Sequence, residues 1–138
     1  MNLFVYGTLM FPEIRAAVAG QRLAAPPAML PGYRREGVRG EAYPAIIRDP
    51  RSNVTGCLLR GLGRAALRRI DAFEGPEYVR RLHRVRLLDE AGRPGRTAIA
   101  ACYVIAPAAA HRLDGRPWDP HVFAEGHLDR YRRRCRRS

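Results

Sequence analysis

The 138-residue sequence contains no lysine, only three cysteines and no apolar run approaching the length of a membrane-spanning helix. It also begins without a basic segment followed by an apolar one, so neither secretion nor membrane insertion is expected, and the cytoplasm is the predicted location. The odd number of cysteines and the lack of a C-x-x-C pair argue against a disulfide framework and a thiolate metal site. Cys57, Cys102 and Cys135 are expected to be reduced, two of them in the core. The four histidines lack the spacing of zinc-binding motifs, so no metal is predicted.

All 25 basic residues are arginines, and the formal net charge is +12. Residues 130–138 hold six arginines and no acidic residue, while residues 1–129 carry nineteen arginines and thirteen acids. Because the chain is also rich in Ala, Gly and Pro, GC-rich codons would produce the same bias without any binding function. The Arg-rich C-terminal tail, residues 130–138, has the charge to contact RNA, an acidic partner or anionic lipid by counterion release. A solvated or disordered terminus is the favoured interpretation.

A short apolar run at residues 3–6 breaks off at Gly7 and Thr8 and is followed by a helical pattern. This run predicts a buried strand, and Pro12 and Gly20 predict the start and stop of the next helix. Gly7 allows backbone angles and close approaches that a Cβ would block, and Thr8 is suited to cap the helix. Unpaired N–H groups at such a junction suit a carboxylate or a phosphate, although an ordinary strand-to-helix turn is the alternative. Neither GxGxxG nor GxxxxGK[ST] is present, which excludes a dinucleotide fingerprint and a P-loop.

The rest of the chain is dominated by strand patterns, with helical patterns between and after them. Residues 21–33 contain three prolines and are expected to be extended and irregular, with room for only short strands. A turn signal at Asp49-Pro50 separates two strands, and an apolar repeat predicts a helix from Arg64 to a stop at Gly75. The expected strands are residues 41–47, 54–59, 79–87 and 97–106, followed by a loop at 107–120 and a closing helix. This order predicts an α+β fold with a mixed or barrel-like sheet, formed by one domain over residues 1–129.

The second candidate feature is Glu74, which lies at the end of the predicted helix beside Gly75. The negative end of the helix dipole and the apolar neighbour Phe73 both disfavour its charged form and are expected to raise its pKa. A carboxyl group with a raised pKa suits a general acid and base, although a solvated glutamate at a helix end is the alternative. Asp71 is expected to act as a structural hydrogen-bond acceptor, and Glu77 to be exposed in a turn.

Four motifs occur in a fixed order over residues 2–105. They are Val5-Tyr6-Gly7-Thr8-Leu9, Tyr43-Pro44-Ala45, Val54-Thr55-Gly56-Cys57-Leu58-Leu59, and the segment 67–75 ending in Phe73-Glu74-Gly75, with Tyr78 and Arg80 following. Together they resemble the γ-glutamylcyclotransferase-like family in its AIG2-like branch. The resemblance implies a small mixed β-barrel with flanking helices. It implies Glu74 as the catalytic acid and base. The substrate-binding residues that it implies are Tyr6, Gly7, Thr8, Leu9 and Tyr78.

The resemblance further implies an enzyme that needs no cofactor and acts on a small γ-glutamyl substrate. The α-amine of a γ-glutamyl amide attacks its own γ-carbonyl, Glu74 passes the proton to the leaving nitrogen, and the products are 5-oxoproline and an amine or amino acid. The leaving group stays open among γ-glutamyl amino acids, γ-glutamyl amines such as an ε-linked lysine, and a γ-glutamyl tag on a biosynthetic intermediate. Two alternatives are another amide- or acyl-transfer enzyme on the same scaffold, and a non-catalytic binding module with an Arg-rich, nucleic-acid-contacting tail. Tyr103 fits a core position or the site equally well, and Arg80 is a candidate partner for Asp71.

Overall fold

The computed structural model describes residues 1–137, apart from the side chains at positions 132, 134, 136 and 137. The strands of this part of the chain are β1 (Leu3–Val5), β2 (Pro27–Val38), β3 (Pro44–Leu59), β4 (Tyr78–Leu88), β5 (Pro94–Ile105) and β6 (Leu113–Pro117). Its α-helices are α1 (Pro12–Ala19), α2 (Arg64–Glu74), α3 (Pro120–Gly126) and α4 (Leu128–Arg137). Two 3₁₀ helices span Thr8–Met10 and Pro107–Arg112.

Five of the strands form a loosely closed barrel. The sheet has the order β3-β1-β5-β4-β2-β6, and β2 also pairs with β3, which completes the ring. Two seams are short: β1 pairs with β5 only through Leu3 and Ala101, and β2 pairs with β4 through residues 28–29 and 86–87. The predicted α+β class with flanking helices is confirmed, and the predicted barrel is present in this partly closed form.

Strand β1 is buried on both faces because its side chains alternate between two cores. Phe4 belongs to a core formed by strand residues inside the barrel. Leu3 and Val5 belong to a second core, which we call the outer core and which includes residues of the helices. On that outer side, α1 packs against α2 and α4. The end of β1 therefore lies where the barrel meets the helices.

Helices α1 and α2 and the β4–β5 hairpin match the sequence prediction closely. Helix α1 begins at Pro12 and ends at Gly20, whose φ of 76° is the left-handed conformation that favours glycine at a helix end. Helix α2 ends at Glu74. Strand β5 lies between β1 and β4, so the two-sided apolar pattern at residues 97–106 marks a central strand.

The prediction that residues 21–33 are irregular, with room for only short strands, is wrong for the second half of this segment, where the 12-residue strand β2 begins. Pro31 is paired with Asn53 of β3. The backbone of β2 pairs with β4 only at residues 28–29, so at Pro31 the strand has a hydrogen-bonded neighbour on one side. A proline is tolerated at such an edge position because its missing N–H leaves no partner unpaired.

The turn expected at Asp49-Pro50 does not end a strand, because residues 44–59 form the single strand β3. Between the paired residues 48 and 53 of β3, four residues face a single residue of β2, so the segment 49–52 is an enlarged bulge. The Asp49 side chain accepts hydrogen bonds from the Arg51 amide at 3.1 Å and the Ser52 hydroxyl at 2.8 Å. The hydrogen bonds expected of a turn are present at Asp49, but they stabilise a bulge within one strand.

The prediction of a loop at residues 107–120 is also wrong, because this segment contains a 3₁₀ helix and β6. Strand β6 pairs with β2 through Leu113 and Val38. Pairing with a distant strand leaves no periodic signal in so short a segment, which explains why it resembled a loop.

The closing helix expected around residues 122–131 is divided at His127 into α3 and α4. The tail boundary drawn at residue 130 falls inside α4, and Cys135 is buried while Tyr131 packs against the outer core. The described part of the Arg-rich C-terminal tail is therefore a packed helix and not a disordered terminus; Ser138 lies outside the described residues. Cys102 and Cys135 are buried, which confirms the expectation of two core cysteines, and Cys57 is half-buried. Among the described residues, no helix combines the length and the apolar composition that crossing a membrane requires.

Candidate active site

A cavity of about 310 Å³ lies where the end of β1 meets helices α2 and α4. This volume is in the range of pockets that hold small organic ligands. The cavity is lined by Phe4, Val5, Tyr6, Gly7, Thr8, Leu9, Tyr43, Pro44, Ala72, Phe73, Glu74, Tyr78, Tyr103, Tyr131 and Cys135. All six residues that the family resemblance assigned to the site are in this set. The sequence placed them in three separate segments, and the fold brings those segments to one cavity.

The first side of the cavity is the main chain between β1 and the Thr8–Met10 turn, and we name residues 6–9 the cradle. The N–H groups of Gly7, Thr8 and Leu9 form no hydrogen bond with any described residue. The first N–H groups of a helical turn have no partner within the turn, and several of them together suit a carboxylate or another anionic group. The cradle therefore presents three consecutive donors beside the cavity.

Gly7 is required for space, not for a left-handed conformation. Its φ is −126°, which other residues adopt. A Cβ on Gly7 would lie 2.9 Å from both Cδ and Cγ of Pro44, closer than real contacts of this kind. The prediction that Thr8 caps α1 is wrong: Phe11 is the N-cap residue, and no side chain caps the helix. Thr8 instead begins the 3₁₀ turn and is buried.

Glu74 also lines the cavity, from the last position of α2. Burial and, to a smaller extent, the neighbouring Asp71 carboxylate together raise the pKa of its carboxyl group to about 8. The Glu74 side chain is half-buried, because part of its surface faces the cavity. The predicted direction of the shift is confirmed, and so is the predicted loss of solvation as a cause; the second cause is the Asp71 carboxylate. A carboxyl group with this pKa exchanges a proton readily near neutral pH.

Asp71 is held in a network beside Glu74. Its carboxylate accepts a short hydrogen bond from the Tyr103 hydroxyl and forms an ion pair with Arg80 at 3.0 Å. The structural acceptor role expected for Asp71 is confirmed, and so is its pairing with Arg80. Tyr103 belongs to the outer core, as one of the two alternatives predicts, and it also lines the cavity. The network fixes the negative charge that acts on Glu74.

The hydroxyl groups of Tyr6 and Tyr78 are both engaged by main-chain carbonyls. Tyr6 donates to the Tyr103 carbonyl at 2.6 Å, and Tyr78 donates to the Pro44 carbonyl at 2.7 Å. Burial raises the pKa of both hydroxyls above the usual value, so they stay protonated at neutral pH. These tyrosines therefore shape the cavity walls, and proton exchange near neutrality falls to Glu74.

Sequence reasoning missed two arginines that hold the cradle from outside the cavity. Arg15, buried on α1, donates to the Leu9 and Met10 carbonyls at 3.2 and 3.1 Å. Arg35 of β2 donates to the Tyr6 carbonyl at 2.8 Å. A buried position on an amphipathic helix is a weak signal for Arg15, whereas no local pattern distinguishes Arg35 from the other arginines.

The exposed position expected for Glu77 is wrong. Glu77 forms a short ion pair with Arg112, and its second carboxylate oxygen is buried. The pair connects the start of β4 to the 3₁₀ helix at Pro107–Arg112. Within the described part of the chain, no group of three His, Cys, Asp or Glu side chains could hold a metal ion.

Comparison with known proteins identifies relatives over most of this chain. The family model described as gamma-glutamyl cyclotransferase, AIG2-like, matches residues 3–120. Protein AIG2 C of Arabidopsis thaliana is 34% identical over 79 residues, which are 57% of this chain and 48% of that protein. AIG2-like protein D of the same plant is 30% identical over 128 residues, 93% of this chain and 82% of that protein. The match covers about half the length of the first of these curated relatives.

Solved structures share the fold. A solution structure of an Arabidopsis thaliana protein is 27% identical and has a TM-score of 0.72, covering 99% of this chain and 79% of that protein. A structure named gamma-glutamyl cyclotransferase has a TM-score of 0.62 at 16% identity, covering 98% of this chain and 85% of that protein. At that identity the second likeness concerns the fold alone.

Proposed function

The chain belongs to the AIG2-like gamma-glutamyl cyclotransferase family, and on this premise we propose that it is an enzyme that cleaves a γ-glutamyl amide without a cofactor. The α-amine of the substrate attacks its own γ-carbonyl, giving 5-oxoproline and a free amine or amino acid. The observation that carries the proposal is that one cavity is lined both by the unpaired amides of the cradle and by Glu74, whose pKa is about 8.

The cradle binds the α-carboxylate of the substrate through the N–H groups of Gly7, Thr8 and Leu9. Backbone donors at fixed positions orient this carboxylate, and the orientation sets the α-amine against the γ-carbonyl of the same molecule. The Tyr78 side chain forms part of the cavity wall beside the substrate. Because nucleophile and electrophile are already joined, the protein contributes mainly orientation and proton transfer.

Glu74 transfers the proton. Its carboxylate form takes a proton from the α-ammonium group, and the free amine then forms a bond to the γ-carbon, closing a five-membered ring. The bond from the γ-carbon to the leaving nitrogen breaks, and the Glu74 carboxyl group gives its proton to that nitrogen. The ring nitrogen then releases its second proton, which the departing amine takes up, so that it leaves as an ammonium ion. Glu74 thus ends in the form in which it started. General acid and base catalysis of this kind contributes about 10²- to 10⁴-fold in rate.

We place the leaving group against the lining residues Tyr43, Tyr131 and Cys135. Two aromatic rings and a thiol make this part less polar than the cradle. It suits the carbon chain of an amine or amino acid, so γ-glutamyl amino acids and γ-glutamyl amines, including an ε-linked lysine, are the substrate classes to test.

The test incubates the protein with a panel of γ-glutamyl peptides and amines and measures 5-oxoproline by mass spectrometry. Glu74→Gln is expected to lower kcat by about 10²- to 10⁴-fold. Glu90→Gln, an exposed glutamate in the β4–β5 turn, is the matched control and is expected to keep the wild-type rate. No 5-oxoproline from any member of the panel, or equal rates in the wild type and Glu74→Gln, contradicts the proposal.

A further inference from the structure

Arg35 contacts the peptide group that carries the first donor of the cradle. Its Nη1 donates to the Tyr6 carbonyl at 2.8 Å and to the Thr55 carbonyl at 3.2 Å. The Tyr6 carbonyl and the Gly7 N–H belong to one peptide group, which is planar and trans, so they point in opposite directions. Gly7 lines the cavity, whereas Arg35 is not among the described lining residues. Arg35 therefore acts on the cavity through this peptide and does not enter it.

The Arg35 side chain is fixed by its surroundings. The centre of its guanidinium lies 5.5 Å from the centroid of the Trp118 ring, a distance typical of a cation–π contact. Trp118 is itself held by a hydrogen bond of 2.8 Å from its indole N–H to the Ala42 carbonyl. No carboxylate among the described residues forms an ion pair with Arg35. Asp119 acts on Arg35 electrostatically at longer range, and the hydrogen bonds of Arg35 to oxygen go to the carbonyls of Tyr6 and Thr55.

The other two cradle peptides are supported by neutral donors. The Gly7 carbonyl accepts from the Met10 amide at 2.9 Å, and the Thr8 carbonyl accepts from the Phe11 amide at 3.2 Å. A hydrogen bond to a carbonyl polarises the peptide and makes its N–H a stronger donor, and a charged donor has the larger effect. The Gly7 N–H is therefore the cradle donor that receives support from a charged side chain.

We propose that Arg35 is a positioning residue that strengthens carboxylate binding by the cradle through the Tyr6–Gly7 peptide. The inference rests on the proposed function, since it takes the α-carboxylate of the γ-glutamyl group as the ligand of the cradle. Removal of Arg35 weakens binding of ligands that carry this carboxylate and leaves binding of matched ligands without it unchanged. Loss of general packing would weaken both.

Two small probes separate these effects without turnover: 5-oxoproline, and 2-pyrrolidinone, which is the same ring without the carboxylate. Arg35→Met keeps most of the packing volume and removes the charged donor. Arg84→Met removes one charge at an exposed position of β4 and is the control. In NMR titrations of the isotope-labelled full chain, Arg35→Met is expected to weaken 5-oxoproline binding about tenfold relative to Arg84→Met. Binding of 2-pyrrolidinone is expected to be the same in both variants.

The amide resonance of Gly7 supplies a readout that needs no ligand. Its ¹⁵N shift depends on hydrogen bonding at the preceding carbonyl, so it is expected to move in Arg35→Met and to stay in place in Arg84→Met. If Arg35→Met fails to fold, Arg35→Lys is used, which keeps the charge on a shorter side chain. It is expected to lose about threefold in 5-oxoproline affinity and nothing for 2-pyrrolidinone.

Equal affinity of Arg35→Met and Arg84→Met for 5-oxoproline overturns the inference, and so does an equal loss for both probes. If 5-oxoproline leaves the Gly7 resonance of the wild type unmoved, the cradle does not bind the carboxylate, and the inference fails together with that part of the proposed function. If the expected binding pattern is found while no γ-glutamyl compound is turned over, the role of Arg35 stands and only the catalytic proposal fails.

Discussion

Replacing Glu74 with glutamine is expected to stabilise the folded protein, and by an amount that increases with pH. The pKa of Glu74 is about 8 in the folded protein, against a usual value of 4.5 for an accessible glutamate. Between these values the unfolded chain releases the proton while the folded protein keeps it. Folding therefore becomes less favourable as the pH rises through this window. Glutamine has nearly the same shape, never ionises and escapes this penalty.

The magnitude follows from the two pKa values. Each pH unit inside the window costs the wild type about 1.4 kcal/mol of unfolding free energy. We expect the free energy of unfolding of Glu74→Gln to exceed that of the wild type by close to zero at pH 4.5 and by about 3 to 5 kcal/mol at pH 8. The range extends below the full value for this window because Glu74 retains some access to solvent through the cavity. Above that pH the folded protein also ionises, and the difference stops growing.

The assay is urea denaturation of the wild type and Glu74→Gln at several pH values between 4.5 and 9, with the free energy of unfolding extrapolated to water. Glu90→Gln is the control, because it replaces an exposed carboxylate outside the cavity lining, and its difference from the wild type is expected to stay constant with pH. If the free-energy difference between Glu74→Gln and the wild type is also constant over this range, Glu74 is not a carboxyl group of raised pKa and the reasoning fails.

Two other predictions concern Asp71, which neighbours Glu74, and Gly7 of the cradle. Asp71→Asn removes a negative charge that raises the pKa of Glu74, so the midpoint in the pH profile of kcat/KM is expected to move to lower pH; an unchanged or higher midpoint contradicts the assignment. Gly7→Ala places a Cβ against Pro44 and is expected to lower stability by about 1 to 3 kcal/mol and kcat/KM at least tenfold, as measured by thermal unfolding and initial rates. Gly95→Ala, whose Cβ would find an ordinary contact at 3.5 Å, is the control; equal effects of the two substitutions refute the steric argument.

The sequence was sufficient for those parts of the fold that depend on local patterns. The helix between Pro12 and Gly20 and the helix ending at Glu74 have both a periodic apolar face and a stop signal, and both are present. Strand continuity across residues 49–52 was not predictable, since a bulge and a turn use the same residues until the partner strand is known. The short strand β6 depends wholly on its pairing with β2.

The candidate site divides in the same way. The cradle and Glu74 coincide with strong local signals, a glycine after a buried strand and a carboxylate at a helix end. The family motifs indicated that the two belong to one site. Arg35 is one arginine among 25. Its distinguishing property is a contact with a carbonyl 29 residues away in the chain, which only the folded structure provides.

The short seam of the barrel beside the cradle also determines how the two sides of the cavity can move relative to each other. β1 is held to β3 by three paired residues but to β5 by one, so the cradle is mechanically part of the β3 side. The Tyr6 hydroxyl crosses this seam to the Tyr103 carbonyl, and Tyr103 in turn bonds Asp71 next to Glu74. The spacing between the cradle and Glu74 therefore depends on the separation of β1 and β5, and the Tyr6 hydroxyl forms the hydrogen bond that joins the cradle to β5.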